Sequence, residues 1–198
     1  MRLGAVARIS AGLALASTLV FGATASANPT GKPPAVPVPP PGSVYASWTY
    51  TDQQLAAQVP RARPADVASP QAIVSALHAA LDGPQGPWHS DRLRSLCLPN
   101  VLFANITKND AGQPVVGNVS LADFIGEVQD VHNAGGWYER VTQIVHVSTV
   151  TKNGGALAVV DYQGVGSTTP NGTPVESGET QASLMFDGSR WWVVSDTW

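Results

Sequence analysis

Four histidines, fourteen carboxylates and a single cysteine are the residues of this 198-residue chain best suited to moving protons, holding metals or attacking electrophiles. His132 continues the apolar stripe of Leu121, Phe124, Ile125 and Val128, where a helix would turn its imidazole inward as a proton shuttle. It also falls in the last turn of that helix, where a histidine hydrogen-bonds free carbonyls and meets the negative end of the dipole. This second role is the expected one. Asp161 interrupts an apolar run and is a buried base if it faces in, or a subunit-contact residue if it faces out. These two are the catalytic candidates. His78 is the only ionisable side chain from Gln71 to Leu81, His89 precedes a helix start and His146 lies within a strand. Histidines so dispersed lack the pairing of a metal site, and no metal is expected. Cys97, alone, forms no internal disulfide and reads as a core residue on an apolar helix face. No Gly-x-Ser-x-Gly elbow occurs, and Gly164-Val-Gly166 lacks a third glycine and a following helix. Neither a hydrolase nucleophile nor a dinucleotide loop is indicated, and no cofactor is expected.

The ends of the chain set its compartment and partners. Arg2 and Arg8 precede an uncharged run from Ile9 to Ala23, and Ala25-Ser26-Ala27 supplies a small-x-small cleavage pattern. Residues 1–27 therefore read as a secretion signal, giving a periplasmic or extracellular protein whose mature form is not membrane-anchored. The signal holds two arginines and no acid. The remaining nine Lys+Arg face fourteen Asp+Glu, a net charge of −5 with scattered basic residues, which makes nucleic acid a poor partner. From Pro29 to Pro41 seven of thirteen residues are proline, so residues 28–66 read as a mostly disordered, extended linker. Thr51 to Val59 has the length of a short helix before Pro60 and Pro64. The folded domain is expected over 67–198.

Within that domain the elements follow from periodicity and punctuation. Ser69-Pro70 opens a helix carried by Ile73, Ala76, Leu77, Ala80 and Leu81 and stopped by Asp82-Gly83-Pro84. Ser90 opens a short second helix, Val101 to Ile106 reads as a strand, and 107–118 as a turn or loose hairpin. Ser120 to Asp123 is a capping box for a third helix that Gly135-Gly136 ends. Four long strands follow, Tyr138–Val150, Ala156–Val165, Glu179–Phe186 and Arg190–Trp198, joined by turns at Asn153-Gly154 and Asp187-Gly188.

This order, with Leu121-Ala-Asp-Phe124 opening the third helix and Asp187-Gly-Ser-Arg-Trp-Trp-Val closing the sheet, resembles the SnoaL-like proteins of the nuclear transport factor 2-like superfamily. The resemblance implies an α+β fold, a curved antiparallel sheet wrapped on three N-terminal helices as a cone whose mouth often holds a ligand pocket. The superfamily includes ketosteroid isomerase, scytalone dehydratase and non-catalytic assembly domains, so fold alone selects no reaction. In ketosteroid isomerase an aspartate near the end of the first strand is the general base. The matching position here is about Asn105, which takes no proton at neutral pH, and the first helix has no oxyanion-hole tyrosine. The reading is therefore an exported domain that binds a small, mostly apolar molecule. The alternatives are a lyase, isomerase or hydratase of the isomerase or dehydratase type, or a non-catalytic dimeric assembly module.

Three of the six tryptophans lie in the last nine residues. Simple alternation puts Trp191, Val193, Ser195 and Thr197 on one face of the closing strand, and Trp192, Val194, Asp196 and Trp198 on the other. The first set is uncharged and suits the concave side. With Phe103, Asn105, Phe124 and Tyr162, the residues Trp191 and Ser195 are the expected ligand contacts. The second set suits the outer face, where Trp192, Val194 and Trp198 are expected to form a homodimer interface.

Overall fold

The computed structural model describes residues 50–198; the expected secretion signal and the proline-rich run lie outside the described residues. Folding begins earlier than residue 67. Helix α1 (Asp52–Gln58) is closed by a capping box, in which Thr51 Oγ1 accepts from the Gln54 amide at 3.2 Å and Gln54 Oε1 accepts from the Thr51 amide at 2.8 Å. A 3-10 turn at Pro64–Val67 then places Asp66 against Arg92, whose Nε and Nη2 donate to its two oxygens at 3.0 and 3.1 Å. The last third of the segment expected to be linker thus has its own structure and a bidentate tie to the domain.

Helix α2 (Pro70–Ala79) is capped by Ser69 and buries Ile73, Val74, Ala76 and Leu77. Helix α3 (Asp91–Leu96) buries Leu93 and Leu96 and runs into strand β1 (Cys97–Lys108). Cys97 is thus the first strand residue rather than part of a helix, still buried as expected. Burial raises its pKa well above the ordinary thiol value, which leaves it an inert core residue. The loose hairpin expected over 107–118 contains a second strand, β2 (Pro114–Ser120), paired antiparallel with β1. Helix α4 (Leu121–Ala134) follows, and then the meander β3 (Tyr138–Lys152), β4 (Gly155–Ser167), β5 (Glu176–Phe186) and β6 (Trp191–Thr197).

The six strands form one open sheet in the order β2-β1-β6-β5-β4-β3. This is the α+β architecture expected, with one correction: β6 returns beside β1 in parallel, so the sheet is antiparallel except at that central pair. Phe103, Ala158, Val160, Tyr162, Ala182, Leu184 and Val193 face the helices and form the core with α2 and α3. Helix α2 packs against β3, β4 and β6, whereas α4 packs against β1 and β2. The two helices leave an uncovered stretch of concave sheet between them.

A bulge decides what faces that space. Ser183 pairs with Ser195 but Leu184 pairs with Val193, so Val194 has no partner on β5. One extra residue shifts the alternation by one position. Trp191 and Val193 point inward before the bulge, as expected. Beyond it the faces exchange, and Asp196, the register partner of Ala182 and Phe103, turns inward and is buried. Trp198 turns in with it and extends the parallel pairing through bonds to Ala104 and Ile106.

Candidate functional site

The uncovered stretch is a cavity of about 690 Å³. Phe124, Glu127 and Val128 of α4 form one side; Gly164, Gly178 and Thr180 of β4 and β5 form the other. Gly166 lets the Trp137 indole lie directly on the backbone of β4, where any Cβ would collide with the ring. At the floor, four side chains from four elements make a continuous chain. Glu139 Oε2 of β3 is 2.7 Å from His78 Nδ1 of α2, and His78 Nε2 is 2.9 Å from the Tyr162 hydroxyl of β4. That hydroxyl donates to Asp196 Oδ1 of β6 at 2.8 Å. Trp137 Nε1 donates to the other Glu139 oxygen at 2.7 Å, and the Glu139 amide donates to Asp82 Oδ1 at 2.7 Å.

The donor count fixes the charges. An ionised Glu139 only accepts, so Nδ1 of His78 carries a proton. The Tyr162 hydroxyl spends its proton on Asp196, so Nε2 must donate to it as well. His78 is therefore an imidazolium whenever Asp196 is a carboxylate. Burial opposes this charge, but the hydrogen bond and charge of Glu139, backed by the charges of Asp196 and Asp82, hold the pKa of His78 above 6.5. Burial pushes Asp196 up to about 6, against the charge of His78 and the Tyr162 bond; Glu139 adds to the rise. Burial and the Asp196 carboxylate push the Tyr162 phenol far up, so it passes protons without ionising. Moving one proton from His78 to the phenol and another from the phenol to Asp196 gives a neutral pair with the same proton count. The chain can therefore exchange charge between its ends.

The structure brings together some of the expected contacts and separates others. Phe103 and Phe124 stack at 4.1 Å between centroids and both line the cavity, as does Asn105. Tyr162, also expected as a ligand contact, is buried in the floor and does not line the cavity; its hydroxyl bonds His78 and Asp196, which do. Trp191 packs on Phe186 at 5.3 Å in the core and Ser195 lies on the opposite face, so neither lines the cavity. The bulge is the reason for Ser195. His132 is fully buried, with Nε2 3.0 Å from the Leu81 carbonyl, Nδ1 3.2 Å from the Pro84 carbonyl and its ring stacked on Trp88. It ties α4 to the turn after α2 and does not reach the cavity. Asp161 faces out, where it accepts from Gln181 Nε2 at 2.7 Å. Neither of the two expected catalytic candidates lines the cavity. Trp192, expected to be an open interface residue, lies under the Arg190 guanidinium at 3.7 Å and donates to Asp187 at 2.6 Å.

The network residues His78, Glu139 and Asp196 were not singled out as site residues in the sequence. His78 had a usable signal, because it shares a helical stripe with Val74 and Leu81. Among the described residues no group of three His, Cys, Asp or Glu is arranged to hold a metal, and no helix is long and apolar enough to cross a membrane.

No family model matches the chain, and no curated protein sequence matches it. Similar solved structures include an NTF2-like protein of unknown function from Shewanella baltica, at 12% identity over 63% of this chain and 82% of that one, with a TM-score of 0.38. The beta subunit of a putative aromatic-ring-hydroxylating dioxygenase from Novosphingobium aromaticivorans is similar at 16% identity over 64% and 83%, with a TM-score of 0.39. A putative polyketide cyclase from Xanthomonas campestris is similar at 18% identity over 64% and 86%, with a TM-score of 0.29. At such identities and scores these likenesses bear on no activity. The architecture described above rests on the strand pairing of the chain itself.

Proposed function

We propose that this is an exported domain that binds a small, mostly apolar molecule in its cavity. The observation carrying the proposal is the cavity, whose volume lies in the range of ligand sites and whose aromatic and aliphatic walls close on a few fixed polar groups. Export rests on residues 1–27. Binding is tested by a thermal-shift screen of neutral polycyclic compounds, since a molecule that binds only the folded state raises the melting temperature. The control is Gly178→Phe. A Cβ at Gly178 meets nothing within 4 Å, so the ring takes up part of the cavity without disturbing the sheet. Compounds that shift both proteins equally bind elsewhere and sink the reading.

The floor network favours a second reading, a lyase, isomerase or hydratase in which His78 or Asp196 moves the proton. Of the polar groups in the floor, these two are linked through a hydroxyl and both meet the cavity. Turnover that survives both His78→Gln and Asp196→Asn would remove it.

A second copy of the chain is the partner proposed for the outer face. Val150, Leu157 and Met185 are register neighbours across β3, β4 and β5, and with Val159 they leave a contiguous exposed apolar band. This band replaces the expected patch of Trp192, Val194 and Trp198.

A further inference from the structure

Five carboxylates line the cavity, Glu127, Asp130, Glu139, Glu176 and Asp196, with one histidine and no lysine or arginine. Glu139 is matched by His78, and Glu127 and Asp130 are exposed on α4. Asp196 is different. It is only 6% exposed, its Oδ1 accepts from Tyr162, and among the described residues that is the one hydrogen bond its carboxylate receives. Among the described residues the opposite charge acting on it is that of His78, and both N–H groups of that imidazolium are already engaged. Asp196 lines the cavity, and its second oxygen is not sealed in the protein without a partner, so a donor inside the cavity can reach it.

Its neighbours fit one kind of occupant. Phe103, the register partner of Asp196 on β1, stacks on Phe124, and Phe124 lies 5.9 Å from Trp198 at the end of β6. Three aromatic rings thus line the same cavity as the carboxylate, and ring faces attract cations as well as apolar groups. Resting on the ligand-binding reading above, we propose that the molecule taken up by this cavity carries a protonated amine, which docks on Asp196 Oδ2 while its apolar body lies against Phe103, Phe124 and Trp198. A neutral alcohol can donate to the same oxygen, but an N⁺–H···O⁻ bond is roughly twice as strong as its neutral counterpart. An anionic ligand meets five carboxylates and one imidazolium whose two N–H groups are already engaged.

The test uses three probes that differ at one group: 1-pyrenemethylamine, 1-pyrenemethanol and 1-pyrenecarboxylate, titrated by calorimetry at pH 8, with decylamine, decanol and decanoate as a slimmer series. In either series the amine should bind at least about ten-fold tighter than the alcohol, and the carboxylate most weakly. Asp196→Asn should bring the amine down to the affinity of the alcohol and leave the alcohol within about three-fold of its wild-type value. An alcohol that binds as tightly as its amine, or an amine advantage that survives Asp196→Asn, overturns the proposal and leaves the ligand-binding reading standing. Absence of binding by all six probes overturns that reading itself, and this proposal with it. Should Asp196→Asn fail to fold, the carboxyl ¹³C resonance of wild-type Asp196 takes its place. It should shift saturably with the amine and not with the alcohol, and an unmoved resonance overturns the proposal.

Discussion

The Tyr162 hydroxyl donates to Asp196 Oδ1 at 2.8 Å across β5, joining two strands that are not neighbours in the sheet. On β5 Tyr162 pairs with Thr180 and Asp196 with the small, fully buried Ala182, so the phenol reaches the carboxylate on a diagonal across that strand. Tyr162→Phe keeps the ring and removes the hydroxyl. Asp196 then has no hydrogen-bond partner and His78 Nε2 has no acceptor, and a stranded buried polar group costs about 1–3 kcal/mol. The melting temperature should fall by on the order of 5 °C or more. An unchanged melting curve would show that the phenol is not bonded as described.

The pH dependence of stability follows from the same groups. Asp196 has a folded pKa raised from 3.8 to about 6, so its contribution is fully present below 3.8 and is lost as pH rises through 6. His78 is also raised, so its contribution is full below 6.5 and is lost as pH climbs past its folded value. The groups facing them are Tyr162 from β4, Glu139 from β3 and Asp82 after α2, and Cys97 of β1 lies close enough for its thiol to feel the Asp196 charge. Both shifts act in one direction. The melting temperature should therefore be higher at pH 5.5 than at pH 8, and His78→Gln should flatten the slope. A melting temperature that rises from pH 5.5 to pH 8 would contradict the protonation scheme.

The sequence made the sheet and helices readable because strand alternation, caps and turn residues are local signals. Ser69, Ser120, Asn153-Gly154 and Asp187-Gly188 mark their elements without help from tertiary contacts. The parallel pairing of β1 with β6 carries no local mark, since it joins residues almost a hundred positions apart. The bulge at Val194 is equally silent. Nothing in Trp-Val-Val-Ser announces an extra residue, yet it exchanges the faces of Ser195, Asp196 and Trp198. Phe103, Asn105 and Phe124 were legible as cavity lining because they precede the bulge problem altogether. The network was not, because it is assembled by four elements whose distances only the fold sets.

His132 separates a structural histidine from a functional one. Its ring holds the Leu81 and Pro84 carbonyls and stacks on Trp88, which in turn donates to the Ala80 carbonyl at 3.1 Å. His132→Ala removes a fully buried ring and leaves two carbonyls unbonded. It should lower stability by about 2–4 kcal/mol and leave the affinity for a cavity probe unchanged in the fraction that remains folded. Lost affinity with an intact melting temperature would return His132 to the site.

The tryptophans of the closing strand have three separate roles. Trp198 is a cavity wall beside Phe124, so Trp198→Ala should weaken probe binding by roughly ten-fold while the protein keeps its oligomeric state. Trp192 is held by Arg190 and Asp187 at the base of the last hairpin, so Trp192→Ala should lower the melting temperature without releasing a partner. Trp191, packed on Phe186, should cost about 3–5 kcal/mol of stability when cut to alanine, at any protein concentration. In the proposed dimer, association depends instead on the apolar band. Leu157→Glu or Met185→Glu places a charge where two copies would meet, and buried unpaired charge disrupts a contact by several kcal/mol. Light scattering should report a dimer for the wild type, Trp192→Ala and Trp198→Ala, and a monomer for the two glutamate variants. A monomeric wild type at high micromolar concentration removes the second copy from the outer face. A dimer that survives both glutamates moves the contact to another surface.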